Sequence, residues 1–415
     1  MILSGKLGFS LECNAKRIIF VPRIKQIMHR TLLPILFLLF SVSVWAQELT
    51  LQGRVVDAET GEHLPYVNIY SAKGERTLSN NKGDFKLTTE ENCLVTFSCI
   101  GYEKKTIKAT GEPRIVRLKP LTVVMKEVNV GPVNYDEILK RTIENLKQDF
   151  RNQDQMARKY FFRTLMEKTE GTYIAEAFMN AYSVVNIRSA NIISGLQNSD
   201  TQGNGKTLNV NASNIHRLIE VGPMTVNSRF WSSAQKPLQH YSYTREHYDR
   251  KFQHLFGENG ESYYRIDFSL KEKLQSEFTT KPYIVGTAYA DTETCRLLRF
   301  DGSCINYFMR NELIQYPTSI DFHLEYDYSQ GYASVSNLAI SGGNALMLYH
   351  ALLFALEEDK LQTEQIIGSG SNIVTALKDA GFDAKLWDEY DIVKRTKEEE
   401  RVAFGDSVLT STRSQ

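Results

Sequence analysis

From Glu48 to Val130 short β-rich runs alternate with turn residues, and this rhythm constrains the fold more than any other feature, because it is the pattern of an all-β sandwich. Leu49, Leu51 and Gly53 lead to Val55, and Asp57-Ala58-Glu59-Thr60-Gly61-Glu62 makes a turn. Val67 and Ile69 mark the next strand. Asn80-Asn81-Lys82-Gly83-Asp84 is a second turn, whose Gly83 can take positive φ. Leu94 to Ile100 is the most apolar strand and should cross the core. Ile115-Val116-Arg117-Leu118 and Val123-Val124-Met125 close the set.

Ahead of this region, the apolar run LLPILFLLFSVSV over Leu32 to Val44 follows His29 and Arg30 and ends at Ser43-Val44-Trp45-Ala46. A basic flank, a short apolar segment and a small-x-small end describe a cleavable signal peptide over 1–46. At 13 residues the run is too short for the ~20 apolar residues of a spanning helix. Cleavage is expected between Ala46 and Gln47, leaving no transmembrane segment. The 27 residues before Met28 are basic and irregular, which points to Met28 as the start, with a long leader from Met1 as the alternative.

Removing residues 1–46 takes away six Lys/Arg and one Glu, leaving 43 basic and 48 acidic residues. That balance argues against a nucleic-acid partner, which requires a basic face. Four cysteines remain: Cys93, Cys99, Cys295 and Cys304. Cys93 and Cys99 lie on one expected strand about 20 Å apart at ~3.3 Å per residue and cannot pair. Cys295 and Cys304 flank the expected turn Phe300-Asp301-Gly302-Ser303, where a two-residue hairpin would set Cys304 against Arg299 rather than Cys295. Free buried thiols are expected, with oxidation of Cys295 and Cys304 left open. None has CxxC spacing, so no thiolate zinc site is expected.

Four pieces, GRVVDAETGEHLPYVNI, NNKGDFKL, VTFSCIGYE and the exit MKEVNV, resemble the carboxypeptidase-regulatory-like, or prealbumin-like, β-sandwich found at the start of many Gram-negative envelope proteins. The resemblance implies residues 47–130 as a structural or interaction module outside the cytoplasm, with no catalysis and no bound ion. One departure is Ser79-Asn80, where the family often carries Thr-Asp.

Gly131-Pro132 breaks the pattern and marks a boundary. Asn134-Tyr135-Asp136-Glu137 reads as a capping box, and Ile138, Leu139, Ile143, Leu146 and Phe150 recur at helical spacing. From Lys159 to Ile340 aromatic and β-branched runs dominate. Among them Tyr241 to Phe252, Arg296 to Phe300, Ile305 to Met309 and Ser319 to Tyr328 read as strands, with hairpin turns at Gly257-Glu258-Asn259-Gly260 and Asp301-Gly302. Residues 186–237, rich in Asn, Ser and Gly, read as a long excursion. Ala345 to Leu356 is a buried apolar element of undetermined type, Asn372 to Ala380 looks helical, and Lys394 to Glu400 reads as a charged tail. Asp406-Ser407-Val408 resembles an O-glycosylation sequon of envelope proteins. The expected fold class is mostly β: the sandwich over 47–130, an α+β domain with a large curved antiparallel sheet over 131–395, and a charged, disordered tail over 396–415. YDEILKRTIENLKQDF, YFFRTLMEKTEGTYIAEAFMNAYSV, YYRIDF and LWDEYDIV make 134–393 similar to an uncharacterised group of envelope proteins. Those proteins carry Phe-Tyr-Arg-Glu where this chain has Phe161-Phe162-Arg163-Thr164.

Asp321, His323, Glu325 and Asp327 are the catalytic candidates. Alternation puts all four on one face of a strand, about 6 to 7 Å apart, where two could act as an acid/base pair, with His247 or Asp249 as outside partners. The competing reading is the wet face of an amphipathic strand whose Phe322, Leu324 and Tyr326 face the core. His240, His247 and His254, seven apart, are not expected to bind metal. No nucleophile elbow or phosphate loop is present, and no cofactor or metal is expected. The function expected is a non-enzymatic envelope binding or assembly protein with an envelope protein partner. The alternatives are a carrier of a lipid or other hydrophobic ligand in a groove lined by Phe161, Tyr264 and Phe268, and a hydrolase using 321–327.

Overall fold

The computed structural model describes residues 48–123, 133–151, 157–169, 171–182, 190–201, 237–238, 240–279, 281–308, 317–344, 347–359, 373–390 and 392–404. The expected signal peptide, the Gly131-Pro132 break and Asp406-Ser407-Val408 lie outside them. From Glu48 onward the chain packs as one compact unit.

The first seven strands are β1 (Glu48–Asp57), β2 (Asn68–Ser71), β3 (Arg76–Leu78), β4 (Asp84–Glu90), β5 (Leu94–Ser98), β6 (Lys105–Lys108) and β7 (Arg114–Leu118). They form two sheets of order β4-β1-β7 and β3-β2-β5-β6. Period-two alternation builds the core between them: Phe85, Leu87, Val95 and Phe97 turn inward and are fully buried with Leu51, Val55 and Val116. β1 and β7 run parallel with Gly53 opposite Arg114. A Cβ at Gly53 would stand 1.9 Å from the Arg114 carbonyl oxygen. Gly53→Ala should therefore pry this pair apart and cost about 2 kcal/mol or more, read as a lower urea midpoint with unchanged slope.

β8 (Thr122–Val123) does not close the sandwich as expected. It pairs with β12 (Tyr248–Phe256) at the edge of a second, much larger sheet. Between them come α1 (Tyr135–Arg151), β9 (Ala157–Lys168), β10 (Gly171–Tyr182), β11 (Ala190–Thr201) and α2 (Tyr241–His247). After β12 follow β13 (Ser262–Leu270), β14 (Tyr283–Asp291), β15 (Leu297–Phe308), β16 (Pro317–Asp327), β17 (Ser334–Asn344) and β18 (Met347–Asp359). Last among the described residues come α3 (Ile373–Ala380), α4 (Ala384–Glu389) and α5 (Lys397–Phe404). The sheet has eleven strands in the order β11-β10-β9-β18-β17-β16-β15-β14-β13-β12-β8, and every pairing in it is antiparallel.

One face of this sheet packs on α1. Asn134 caps the helix, its Oδ1 accepting from the Glu137 N–H at 3.2 Å, and Leu139, Ile143 and Leu146 bury against Tyr160, Phe162 and Met166. The opposite face is covered by the sandwich, α4 and α5, with Phe161, Phe178, Phe354 and Leu356 packed against Leu78, Leu386 and Val393, whereas α3 buries Leu377 in the core on the α1 face. Strand β18 is consequently apolar on both sides from Ala351 to Leu356, which is why its sequence shows no alternation.

Several local expectations are corrected. Asp301-Gly302 is not a hairpin turn but the middle of β15, where a Cβ at Gly302 would meet the Val285 carbonyl oxygen at 2.5 Å and the Phe322 ring at 2.8 Å; the glycine serves close packing. Residues 241–247 form α2 rather than a strand, with the Tyr243 and His247 rings stacked 3.7 Å apart. Ala190–Thr201, read as part of an excursion, is the edge strand β11, and 202–236 lie outside the described residues. The charged run after Lys394 is not a free tail: Thr396 and Glu399 form a capping box (Thr396 N–H to Glu399 Oε2, 2.6 Å; Glu399 N–H to Thr396 Oγ1, 3.3 Å), and α5 buries Val402 and Ala403 against Leu165 and Ile174. Cys93, Cys99, Cys295 and Cys304 are free thiols, the last three buried.

Candidate functional site

Strand β16 carries Asp321, His323, Glu325 and Asp327 on one face, as alternation requires, with Phe322, Leu324 and Tyr326 in the core on the other. That polar face is not wet. Only Asp321 is exposed, whereas His323 and Glu325 keep 6% and 2% of their surface. The sandwich covers them.

The neighbouring strands complete the row. The register sets Asp301 opposite His323 and Arg299 opposite Glu325 on β15, and Asn337 of β17 opposite Glu325 on the other side. His323 Nδ1 lies 2.6 Å from Asp301 Oδ1 and its Nε2 3.5 Å from Glu325 Oε1. Arg299 Nε donates to Asp301 Oδ2 at 2.6 Å. From the sandwich, Asn68 Nδ2 donates to Glu325 Oε2 at 2.8 Å, beside Asn337 Nδ2 at 2.7 Å. Arg299 Nη1 reaches across to the Ile100 carbonyl at 2.7 Å and to Cys99 Sγ at 3.2 Å. Tyr66, held at φ +59°, lays its ring 5.1 Å from that of His323. The turn Cys99-Ile100-Gly101-Tyr102, in which Gly101 takes φ +94°, presents the Ile100 carbonyl to Arg299.

Arg299 and His323 thus face two carboxylates, Asp301 and Glu325, inside the contact. Burial alone would raise the Asp301 carboxyl, but Arg299 and His323 outweigh it and bring it down to about 2. Burial alone would lower the His323 imidazole, but Asp301 and Glu325 beside it raise it above its usual value. Glu325 is likewise held low against its burial, chiefly by His323. Each charge thus favours the charged form of its neighbours.

The remaining candidates do other work. Asp321 accepts from Ser303 Oγ at 2.5 Å. Asp327 pairs with Arg158 at 2.8 Å and accepts from the Ser329 N–H at 2.9 Å. His247 and Asp249 lie in α2 and on β12, four strands from β16 in the sheet order, and are not partners of the row. Among the described residues no group of three His, Cys, Asp or Glu side chains is placed to hold a metal. His323 and Glu325, the acid/base candidates, lie beneath the sandwich, and their contacts fasten two sheets.

A second buried network fixes the C-terminus. Arg163, on the motif that departs from Phe-Tyr-Arg-Glu, donates through Nε to Glu176 Oε1 at 2.6 Å and through Nη2 to the Val393 carbonyl at 2.6 Å. Its Nη1 lies 3.5 Å from Glu399. Arg395 Nε donates to the same Glu176 carboxylate at 2.9 and 3.1 Å, and its Nη2 bonds there too. The carboxylates come from β10 and α5, not from Thr164, whose hydroxyl donates to the His350 carbonyl at 3.1 Å. A cavity of about 30 Å³ beside Arg163, Tyr66 and Asn80 has room for a water or two.

The residues expected to line an apolar groove do not share one. Phe161 belongs to the face under the sandwich, α4 and α5, whereas Phe268 packs in the core on the α1 face, and Tyr264 contacts the His254 ring at 4.9 Å. Sequence reasoning missed Arg299, Asp301, Asn68 and Asn337. Reading Arg299-x-Asp301 as one strand, rather than as the approach to a turn, would have put both on the face of the row.

The sandwich has the strand order, the Gly53 contact and the two glycine turns described above. Residues 51–130 match the CarboxypepD_reg-like domain family. The CarboxypepD_reg-like domain of this chain is therefore the module that seals the acid–histidine row. No curated protein matches the chain. Similar solved structures include a domain described as an outer membrane lipoprotein-sorting protein from Vibrio parahaemolyticus, 10% identical with a TM-score of 0.22, covering 55% of this chain and 95% of that one. A DUF1329 family protein from Desulfovibrio piger is 8% identical, with a TM-score of 0.22 and the same coverage. MucB in complex with MucA is 8% identical, with a TM-score of 0.16, covering 55% of this chain and 99% of that one. Likenesses of this size carry no functional argument. No helix among the described residues is long and apolar enough to cross a membrane.

Proposed function

We propose that this protein is a non-enzymatic binding or assembly protein of the cell envelope, exported by its signal peptide, whose CarboxypepD_reg-like domain is a fixed interaction module set on the large sheet. The observation that carries this reading is the burial of Glu325 and His323, at 2% and 6% exposure, under Asn68, Tyr66 and Ile100. The acid–histidine row, which has the composition of an acid/base pair, is bonded to the module through Asn68 and Ile100. What remains for function is surface, and a sandwich with open edges supplies the backbone groups that recognise extended chains.

The test is cross-linked affinity purification of the tagged full-length protein from its own cell envelope, with mass spectrometry of what accompanies it. A protein partner recovered in stoichiometric amount is the expected outcome. Recovery of the protein alone, under cross-linking that captures other known envelope complexes, sinks the reading. Deleting residues 47–130 is unsuited as a control, because it would bare the apolar residues Phe354 and Leu356 together with the buried charges of the row. Point substitutions on the sandwich surface avoid that.

A further inference from the structure

We propose that the outer edge of β6 is the docking site, and that it accepts an extended, basic segment of a partner protein as an added strand. This rests on the interaction-protein reading and gives it a place and a ligand class. β6 is the terminal strand of its sheet. Its neighbour Ala109 donates its N–H to the Cys93 carbonyl at 2.8 Å and accepts from the Asn92 N–H at 3.0 Å, so Ala109 faces β5. Alternation then turns the backbone of residues 105 and 107 inward and that of 104, 106 and 108 outward.

The first of the outward groups is already engaged. Lys104 N–H donates to Glu261 Oε1 at 3.3 Å, a side-chain carboxylate standing where a partner strand would put a carbonyl. The backbone groups of Thr106 and Lys108 have no strand beyond them among the described residues. Thr106 lines a cleft of about 520 Å³ between β6, the β12–β13 hairpin and the turn after β14. Two other edges are engaged in part: the Arg117 carbonyl on β7 accepts from Lys105 Nζ at 3.1 Å, and the Gly195 N–H on β11 donates to the Gly381 carbonyl at 2.8 Å.

The far wall of the cleft selects the sign of the guest. Glu261, Asp291 and Glu293 line it, against Lys104 alone. Asp291 is occupied in its own turn, accepting from the Thr294 N–H at 2.7 Å. Glu261 Oε1 already accepts from Lys104 and its Oε2 is buried beside Gly257 and Leu121, whereas the Glu293 carboxylate has no ion pair among the described residues. Lys105, which on an edge strand would discourage pairing, has its ammonium turned away to Arg117. An incoming strand would place its backbone on Thr106 and Lys108 and a Lys or Arg side chain beside Glu293.

The probe is a fluorescein-labelled peptide of alternating valine and lysine, titrated with the full exported chain and followed by anisotropy, beside its valine–glutamate counterpart. Thr106→Pro removes an outward N–H without breaking a sheet bond, and Glu293→Lys reverses the wall. The lysine peptide should bind, each substitution should weaken it by about tenfold or more, and the glutamate peptide should bind more weakly by a similar factor. Alternate N-methylation of the lysine peptide, which leaves the protein untouched, should abolish binding. No binding of the lysine peptide, or equal binding to both variants and to the methylated peptide, overturns the proposal. So does a concentration-dependent dimer lost in Thr106→Pro, which would make a second copy the occupant. If the envelope partner of the wild type is retained by Thr106→Pro, this site is wrong and the interaction reading stands; if the wild type has no partner, that reading itself has failed.

Discussion

Glu176→Gln should destabilise the protein by about 3–5 kcal/mol, the largest effect of any single substitution argued here. Glu176 is 1% exposed, and its carboxylate is held charged, against its burial, by Arg163 and Arg395. The amide keeps the shape but leaves two guanidiniums in a dry contact, with Glu399 as their nearest remaining carboxylate, 3.5 Å from Arg163. The loss should be read as a lower urea midpoint, and locally as faster tryptic cleavage at Lys394 and Arg395, since Arg163 and Arg395 hold the segment before α5. Replacing Arg163, Glu176 and Arg395 together by Met, Leu and Met should cost less than Glu176→Gln alone, because no charge is then left unpaired. A triple variant less stable than the single one would show that the network contributes more than the relief of its own desolvation.

His323→Gln should cost about 3 kcal/mol near pH 6 and progressively less as pH rises. The imidazole is raised above its ordinary 6.5 in the folded state. Its contribution is therefore fully present below 6.5 and is lost as pH climbs through the raised value. The carboxylates act at the other end. Asp301, held at about 2 against an ordinary 3.8, stabilises the fold above 3.8, and that contribution disappears as pH falls toward 2. With a side chain about 30% open to solvent, its share is roughly 1–2 kcal/mol. The contact between the CarboxypepD_reg-like domain and the large sheet should thus be tightest from weakly acidic to neutral pH. Urea unfolding of wild type and His323→Gln from pH 3 to pH 10 checks this: the gap between the curves should narrow on the alkaline side. Curves that stay parallel throughout would mean that His323 is neutral in the fold and acts by shape alone.

The same residues show how far the sequence could be read. Asn134 was legible as a helix cap because capping is decided within four residues. The apolar partners Phe85, Leu87, Val95 and Phe97 were legible because alternation sorts the two faces of a strand. Gly302 was misread because a glycine after an aspartate signals a turn just as well as a place where Val285 and Phe322 press on the backbone. The row Asp321, His323, Glu325 was placed correctly on one face, yet alternation cannot distinguish a face turned to water from one turned to another sheet. Its burial depends on Tyr66, Asn68 and Ile100, more than 200 residues away in the chain. The charged run ending in α5 was read as a tail for the same reason: Glu176 and Arg163, which hold it, come from strands that no local pattern connects to it.

By itself, then, the sequence determined local features of this protein: most of its strands, where the first helix begins, and that the stretch from Glu48 to Leu118 forms a β-sandwich. Those properties depend on neighbours one to four residues apart. Only the tertiary structure decided that the sandwich lies over the acid–histidine row of the eleven-stranded sheet and bonds to it through Asn68 and Ile100. Whether a charged side chain is solvated or sealed is set by what packs over it, and here that cover comes from the far end of the chain.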